Sequence, residues 1–171
     1  MADNIYLIGM MGSGKTVTGR ALAEFAGYSF VDLDAEIQAA EGCSIPEIFE
    51  RSGEPHFRAV ESSTLERFSK KTQQVVATGG GIVLRPENVQ QMKKTGKIVL
   101  LKASAECLWQ RVRYSKDRPL LNKPDPFGTL RQILNDREFF YEKASDLSVL
   151  TDGKSAETVA KEIRDMLRSK A

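Results

Sequence analysis

Residues 9–16 read GMMGSGKT, and no other stretch constrains the fold of this chain so tightly. They satisfy the phosphate-binding pattern G-x-x-x-x-G-K-[ST] at every fixed position. That pattern needs a setting: a strand that delivers the chain into the loop and a helix that carries it away. Both are legible. Asn4 to Ile8 is an apolar run of strand length, and the residues from about 15 to 26 have helical character up to Gly27. Glycines at 9, 12 and 14 let successive backbone N–H groups turn inward on an anion, and the helix adds its positive end. Lys15 places an ammonium against the outer phosphates. Thr16 offers a hydroxyl to the Mg²⁺ that travels with a nucleotide. The plainer alternative is a glycine-rich turn before an ordinary helix; the flanking strand and helix favour nucleotide binding.

Downstream, strand-like and helix-like segments alternate, which predicts an α/β domain with a mostly parallel sheet. The chain has 171 residues, so one domain spanning 1–171 is the simplest organisation. Further strands are expected at 29–33, 74–78, 97–101 and 147–150. The second ends in Asp32-Leu33-Asp34, on the rim where parallel sheets collect their ligands. Strand alternation sends Asp32 and Asp34 to the same side: one carboxylate for the metal's water shell, the other for the acceptor. Asp34 is also placed to cap a following helix.

Residues 35–70 are helical and too long for a simple crossover. Within them Ser44 and Glu47, with Pro46 between, form a capping box that opens a helix. Gly53 interrupts them, and Arg58 and Glu61 stand at i, i+3, where they can pair. This length reads as an insertion covering an acceptor pocket. Gly79, Gly80 and Gly81 follow a strand, where bare backbone admits close approach of a ligand. Residues 114–126 are polar, aperiodic and hold three prolines, and read as a lid that keeps water from the reaction. Arg118 within it offers a cation to a transferring phosphoryl group. A helix from Leu130 to Lys143 and a closing helix capped by Ser155 complete the chain.

Charge excludes little but directs expectation. Lys and Arg number 25 against 23 Asp and Glu, so no global field favours nucleic acid or membrane. Cys43, Cys107 and the single His56 have no metal-ligand spacing. No apolar run approaches a membrane span, and the chain enters its first strand without a signal-like segment. A cytoplasmic monomer with reduced thiols is expected.

Taken in order, the loop at 9–16, Asp32-Leu33-Asp34, Phe57-Arg58 with Glu61, Gly79-Gly80-Gly81, Arg118-Pro119-Leu120-Leu121 and Arg137 with Tyr141 resemble the shikimate kinases over the whole chain length. Those enzymes belong to the nucleoside-monophosphate-kinase-like group of P-loop folds. The resemblance implies a five-stranded parallel sheet of order 2-3-1-4-5 between helices, a shikimate-binding segment at about 33–61 and a lid at about 112–126. It implies transfer of the γ-phosphoryl group of ATP to the 3-hydroxyl of shikimate, in the pathway to chorismate and the aromatic amino acids. Gly12, Ser13, Gly14, Lys15, Thr16, Val17 and Arg118 would hold the nucleotide, with Mg²⁺ on Thr16 and Asp32. Asp34, Arg58, Gly79, Gly80, Gly81 and Arg137 would hold shikimate, with Lys15, Asp34 and Arg118 acting in the transfer. Phe49 and Phe57 would wall the pocket, and Glu61 would hold Arg58. Lys154 stands about where some members place an arginine near the adenine. A gluconate kinase or nucleoside-monophosphate kinase of the same fold, or a non-catalytic sensor, are the rival readings.

Overall fold

The computed structural model describes residues 3–115 and 121–169. Five parallel strands form one sheet: β1 (Asn4–Ile8), β2 (Ser29–Asp32), β3 (Gln74–Ala77), β4 (Gly96–Lys102) and β5 (Leu147–Leu150). Their order is β2-β3-β1-β4-β5, as the resemblance implied. Among the described residues seven α-helices surround them: α1 (Lys15–Ala26), α2 (Leu33–Glu41), α3 (Ile45–Ser69), α4 (Pro86–Thr95), α5 (Ala105–Val112), α6 (Pro126–Ala144) and α7 (Ala156–Ser169).

Strand alternation builds two cores from one sheet. Ile5 and Leu7 of β1 face a cluster with Leu22 of α1 and Val159, Ala160 and Ile163 of α7. Tyr6 and Ile8 face the other, with Leu65 of α3, Met92 of α4, Leu108 of α5 and Tyr141 of α6. Every residue of β1 is buried, as a central parallel strand requires. Edge strand β5 buries only Leu147 and Val149, leaving Ser148 and Leu150 exposed.

A third, small core holds the inserted segment: Ile37 of α2 with Ile48 and Phe57 of α3. Phe49 packs on Phe57 with ring centroids 4.8 Å apart. The Ser44–Glu47 capping box forms with both reciprocal bonds, a feature that contributes about 1 kcal/mol. Gly53 breaks α3 as its sequence suggests: φ is 78°, in the left-handed region, and the helix kinks there before Pro55.

Two departures from expectation concern the helices that frame the site. The second strand ends at Asp32 rather than Leu33, and α2 begins at Leu33. Asp32, not Asp34, is the cap: its Oδ1 accepts from the backbone N–H of Asp34 and Ala35. Asp34 therefore lies in the first helical turn, not on the strand face beside Asp32. Helix α6 starts at Pro126, four residues earlier than periodicity suggests, because Asp125 caps it and Pro126 fits its first turn.

Candidate active site

The site forms where the carboxyl ends of β1, β2 and β3 meet. Gly14 precedes α1 with φ 90°, a left-handed turn that sets Lys15 at the helix start. Lys15 Nζ donates to the carbonyls of Gly9, at 2.8 Å, and Met10, at 3.0 Å. Its ammonium is thus held across the loop that it belongs to. Ser13 is buried against Gly9, and Val17 is exposed on α1. Thr16 Oγ1 donates to Asp32 Oδ2 at 2.7 Å. The hydroxyl and carboxylate predicted to serve a metal are brought into direct contact, although Asp32 is also committed to capping α2.

Among the described residues no cluster of three His, Cys, Asp or Glu could hold a cation by itself. Thr16 and Asp32 offer a hydroxyl and a carboxylate, which fits an Mg²⁺ carried mainly by phosphate oxygens and water and asking the protein for only one or two oxygens.

The three glycines after β3 each receive a different charged neighbour. A methyl at Gly79 would collide with Glu61 and lie 3.1 Å from Asp34 Oδ1. At Gly80 it would lie 3.3 Å from an Arg137 nitrogen and 3.6 Å from the Met11 backbone nitrogen. At Gly81 it would occupy the place of the Arg58 guanidinium. The run is glycine because charges rest on its bare backbone, and its middle residue abuts the phosphate loop.

Arg58 and Arg137 are buried, at 8% and 7% exposure. Arg58 Nη1 donates to Glu61 Oε2 at 2.8 Å, while Nε and Nη2 donate to Glu54 Oε1 at 3.3 and 3.1 Å. Burial works against the Arg58 charge, but Glu61 and Glu54 outweigh it and hold its pKa above the ordinary value. Glu61 is fully buried. Burial pushes its carboxyl up despite the attraction of Arg58, and the like charge of Asp34 adds to the rise. Glu61 Oε1 has no hydrogen-bond partner among the described residues. Arg58, Glu61, Asp34 and Arg137 thus form one coupled group around the glycine run.

Three further residues belong to this constellation. Glu54 takes the outer edge of Arg58 from i−4, a spacing the sequence offers. Arg111 of α5 donates to the Gly12 carbonyl at 3.0 Å and to Thr151 Oγ1 at 3.2 Å, fastening the phosphate loop to the turn after β5. Tyr141 of α6 donates to the Gly80 carbonyl at 2.6 Å. Lys154, by contrast, pairs with Glu162 of α7 at 2.8 Å. Arg118 lies outside the described residues.

The family model for shikimate kinase matches residues 11–168. A shikimate kinase of Synechococcus sp. (strain CC9605) is 48% identical over 97% of this chain and 83% of its own length. Among solved structures, the shikimate kinase from Acinetobacter baumannii in complex with shikimate is 37% identical. It superposes with a TM-score of 0.97 over 99% of this chain and 95% of that one. The shikimate kinase from Aquifex aeolicus gives a TM-score of 0.86 at 38% identity over 98% of this chain and 97% of its own. A phosphate loop joined through a glycine run to two buried arginines, with a family match over nearly the whole chain, has one reading: the chain belongs to the shikimate kinase family.

Proposed function

We propose that this site transfers the γ-phosphoryl group of ATP to the 3-hydroxyl of shikimate, giving shikimate 3-phosphate and ADP. The observation that carries the reading is the placement of two buried guanidinium groups on a glycine run that abuts the phosphate loop. A planar guanidinium grips a carboxylate through paired hydrogen bonds. A small ring acid held by Arg58 and Arg137 would set its hydroxyls beside Asp34 and towards the loop. The relative solved in complex with shikimate supports that acceptor.

Each residue then has a task. Gly12 to Thr16 hold the phosphates through backbone N–H groups, and Lys15 neutralises charge as the phosphoryl group moves. Thr16 would hold Mg²⁺, with Asp32 on its water shell; the ion, when bound, supplies charge neutralisation at the phosphates. Asp34 accepts from the ring hydroxyls and orients the attacking one. Glu61 holds Arg58 at its inner edge. Arg118 is proposed as a second cation on the moving group from the resemblance alone. The acceptor segment at about 33–61 is proposed on its separate small core. No helix among the described residues is long and apolar enough to cross a membrane; a cytoplasmic monomer acting on small molecules accords with this reading.

A coupled ADP-release assay tests it, with shikimate, gluconate and nucleoside monophosphates offered singly beside Mg²⁺ and ATP. Release with shikimate only is expected. Release with gluconate or a nucleoside monophosphate instead overturns the acceptor.

Two variants separate the halves of the site. Arg137→Ala removes charge-assisted hydrogen bonds to the acceptor, which are worth about 1.5–3 kcal/mol. It is expected to raise the KM for shikimate about 10- to 100-fold and leave that for ATP within about twofold. Equal losses for both ligands refute the acceptor assignment. Arg137 is a cleaner choice than Arg58, whose truncation strands buried Glu61 at a cost of about 3–5 kcal/mol. Arg111→Ala is expected to do the reverse. Freed from Arg111, the outer turn of the phosphate loop loosens, and the KM for ATP rises about tenfold while that for shikimate holds. Steady-state kinetics with each substrate varied in turn reads both outcomes.

A further inference from the structure

The Tyr141 hydroxyl lies where three parts of the site meet. Tyr141 stands one turn after Arg137 on α6 and is 2% exposed. Its hydroxyl donates to the Gly80 carbonyl at 2.6 Å and lies 4.0 Å from the sulfur of Met10, in the phosphate loop. The Arg137 guanidinium lies by the same glycine: a methyl on Gly80 would stand 3.3 Å from one of its nitrogens. Of the three carbonyls in the glycine run, Gly79 accepts from the Ile82 N–H at 3.3 Å and Gly81 from the Leu84 N–H at 3.1 Å. The middle carbonyl, that of Gly80, is held by a side chain instead.

That oxygen fixes a plane. The peptide joining Gly80 to Gly81 is rigid, so orienting its carbonyl orients its N–H. Gly81 is the residue on which Arg58 rests. A phenylalanine at 141 would fill the same apolar space, so packing alone does not call for the hydroxyl. We propose that Tyr141 is a positioning residue of the acceptor site: its hydroxyl sets the Gly80–Gly81 peptide and the Arg137 guanidinium together, so that both arginines meet one planar carboxylate. Burial raises the Tyr141 pKa above the ordinary phenol value, with Arg137 pulling the other way. The hydroxyl therefore keeps its proton and remains a donor to Gly80 through the neutral range.

The inference rests on the shikimate reading of the site. Tyr141→Phe tests it, measured on the full chain with shikimate and ATP varied separately. The expected result is a rise of about five- to tenfold in the KM for shikimate, the loss of about one hydrogen bond. The kcat and the KM for ATP should stay within about twofold, and in an Arg137→Ala background the rise in the KM for shikimate should shrink to the part carried through Gly81 and Arg58. Equal rises for both substrates, or a full effect of Tyr141→Phe on top of Arg137→Ala, overturn the positioning role. Tyr141→Met fills the space without a hydroxyl and must give the same split. It decides the matter if the phenylalanine variant melts early. A wild-type chain inert towards shikimate defeats the underlying reading; an active one whose variants show no split defeats only the inference.

Discussion

Lys15→Ala is expected to lower kcat by about 10³-fold or more and to weaken ATP binding, in a chain that still folds. The size follows from where charge develops. In a loose phosphoryl transfer there is little covalent work for the protein, and catalysis is mostly position and charge. Lys15 is the phosphate loop's own cation, and its Nζ already bridges the Gly9 and Met10 carbonyls at the mouth of that loop. Phosphate oxygens would replace those carbonyls as its partners, and no water can reproduce an ammonium so held. Folding should survive because residue 15 opens α1, and alanine is the best helix former at such a position. The Gly9 and Met10 carbonyls belong to buried residues, so losing Lys15 costs about 1–3 kcal/mol, which the melting temperature reads. ADP release and nucleotide binding, measured beside the melting temperature, check the result. Near wild-type turnover would remove Lys15 from the mechanism.

Much of this site was legible because its logic is local. The loop at 9–16 carries strand, turn, cation and hydroxyl within a few residues, and the glycine run announces a close approach without naming what approaches. The kink at Gly53 and the capping box at Ser44 are local too, and both form. The junction at 32–34 was harder. Leu33 is apolar and fully buried, which suits the last residue of a strand as well as the first of a helix. Two aspartates then compete for the cap. Asp32 takes it, and by capping α2 it also meets Thr16.

What the sequence hides is contact between distant segments. Arg111 reaches Gly12 from 99 residues away, and Tyr141 reaches Gly80 from 61. No periodicity encodes such pairs; they follow from the strand order, which places α5 and α6 against the loops of β1 and β3. Lys154 illustrates the converse. Its place near an expected adenine contact depends on which way a long, flexible side chain turns, and here it turns to Glu162 on the closing helix.

Asp34→Asn is expected to cut kcat by about 10²- to 10⁴-fold while leaving the KM for shikimate within about threefold. The substitution keeps shape and hydrogen-bonding capacity but removes the charge that would orient, and finally accept, the proton of the attacking hydroxyl. The pocket should persist for two reasons. First, α2 keeps its cap, because Asp32 rather than Asp34 receives the first-turn N–H groups. The lost first-turn charge costs only about 0.3–1 kcal/mol. Second, the neighbouring charges relax rather than strain. Asp34 helps to raise the Glu61 pKa. Neutralising residue 34 therefore lets Glu61 ionise more readily, which strengthens its pair with Arg58 and steadies the carboxylate grip. Binding retained and turnover lost is thus the signature of a residue whose charge acts on the reacting hydroxyl, its hydrogen bonds to the ring being kept by the amide oxygen. Single-turnover rates and shikimate titrations check both halves. A parallel loss of affinity would show that Asp34 chiefly holds the ring, and unchanged turnover that the hydroxyl is activated without it.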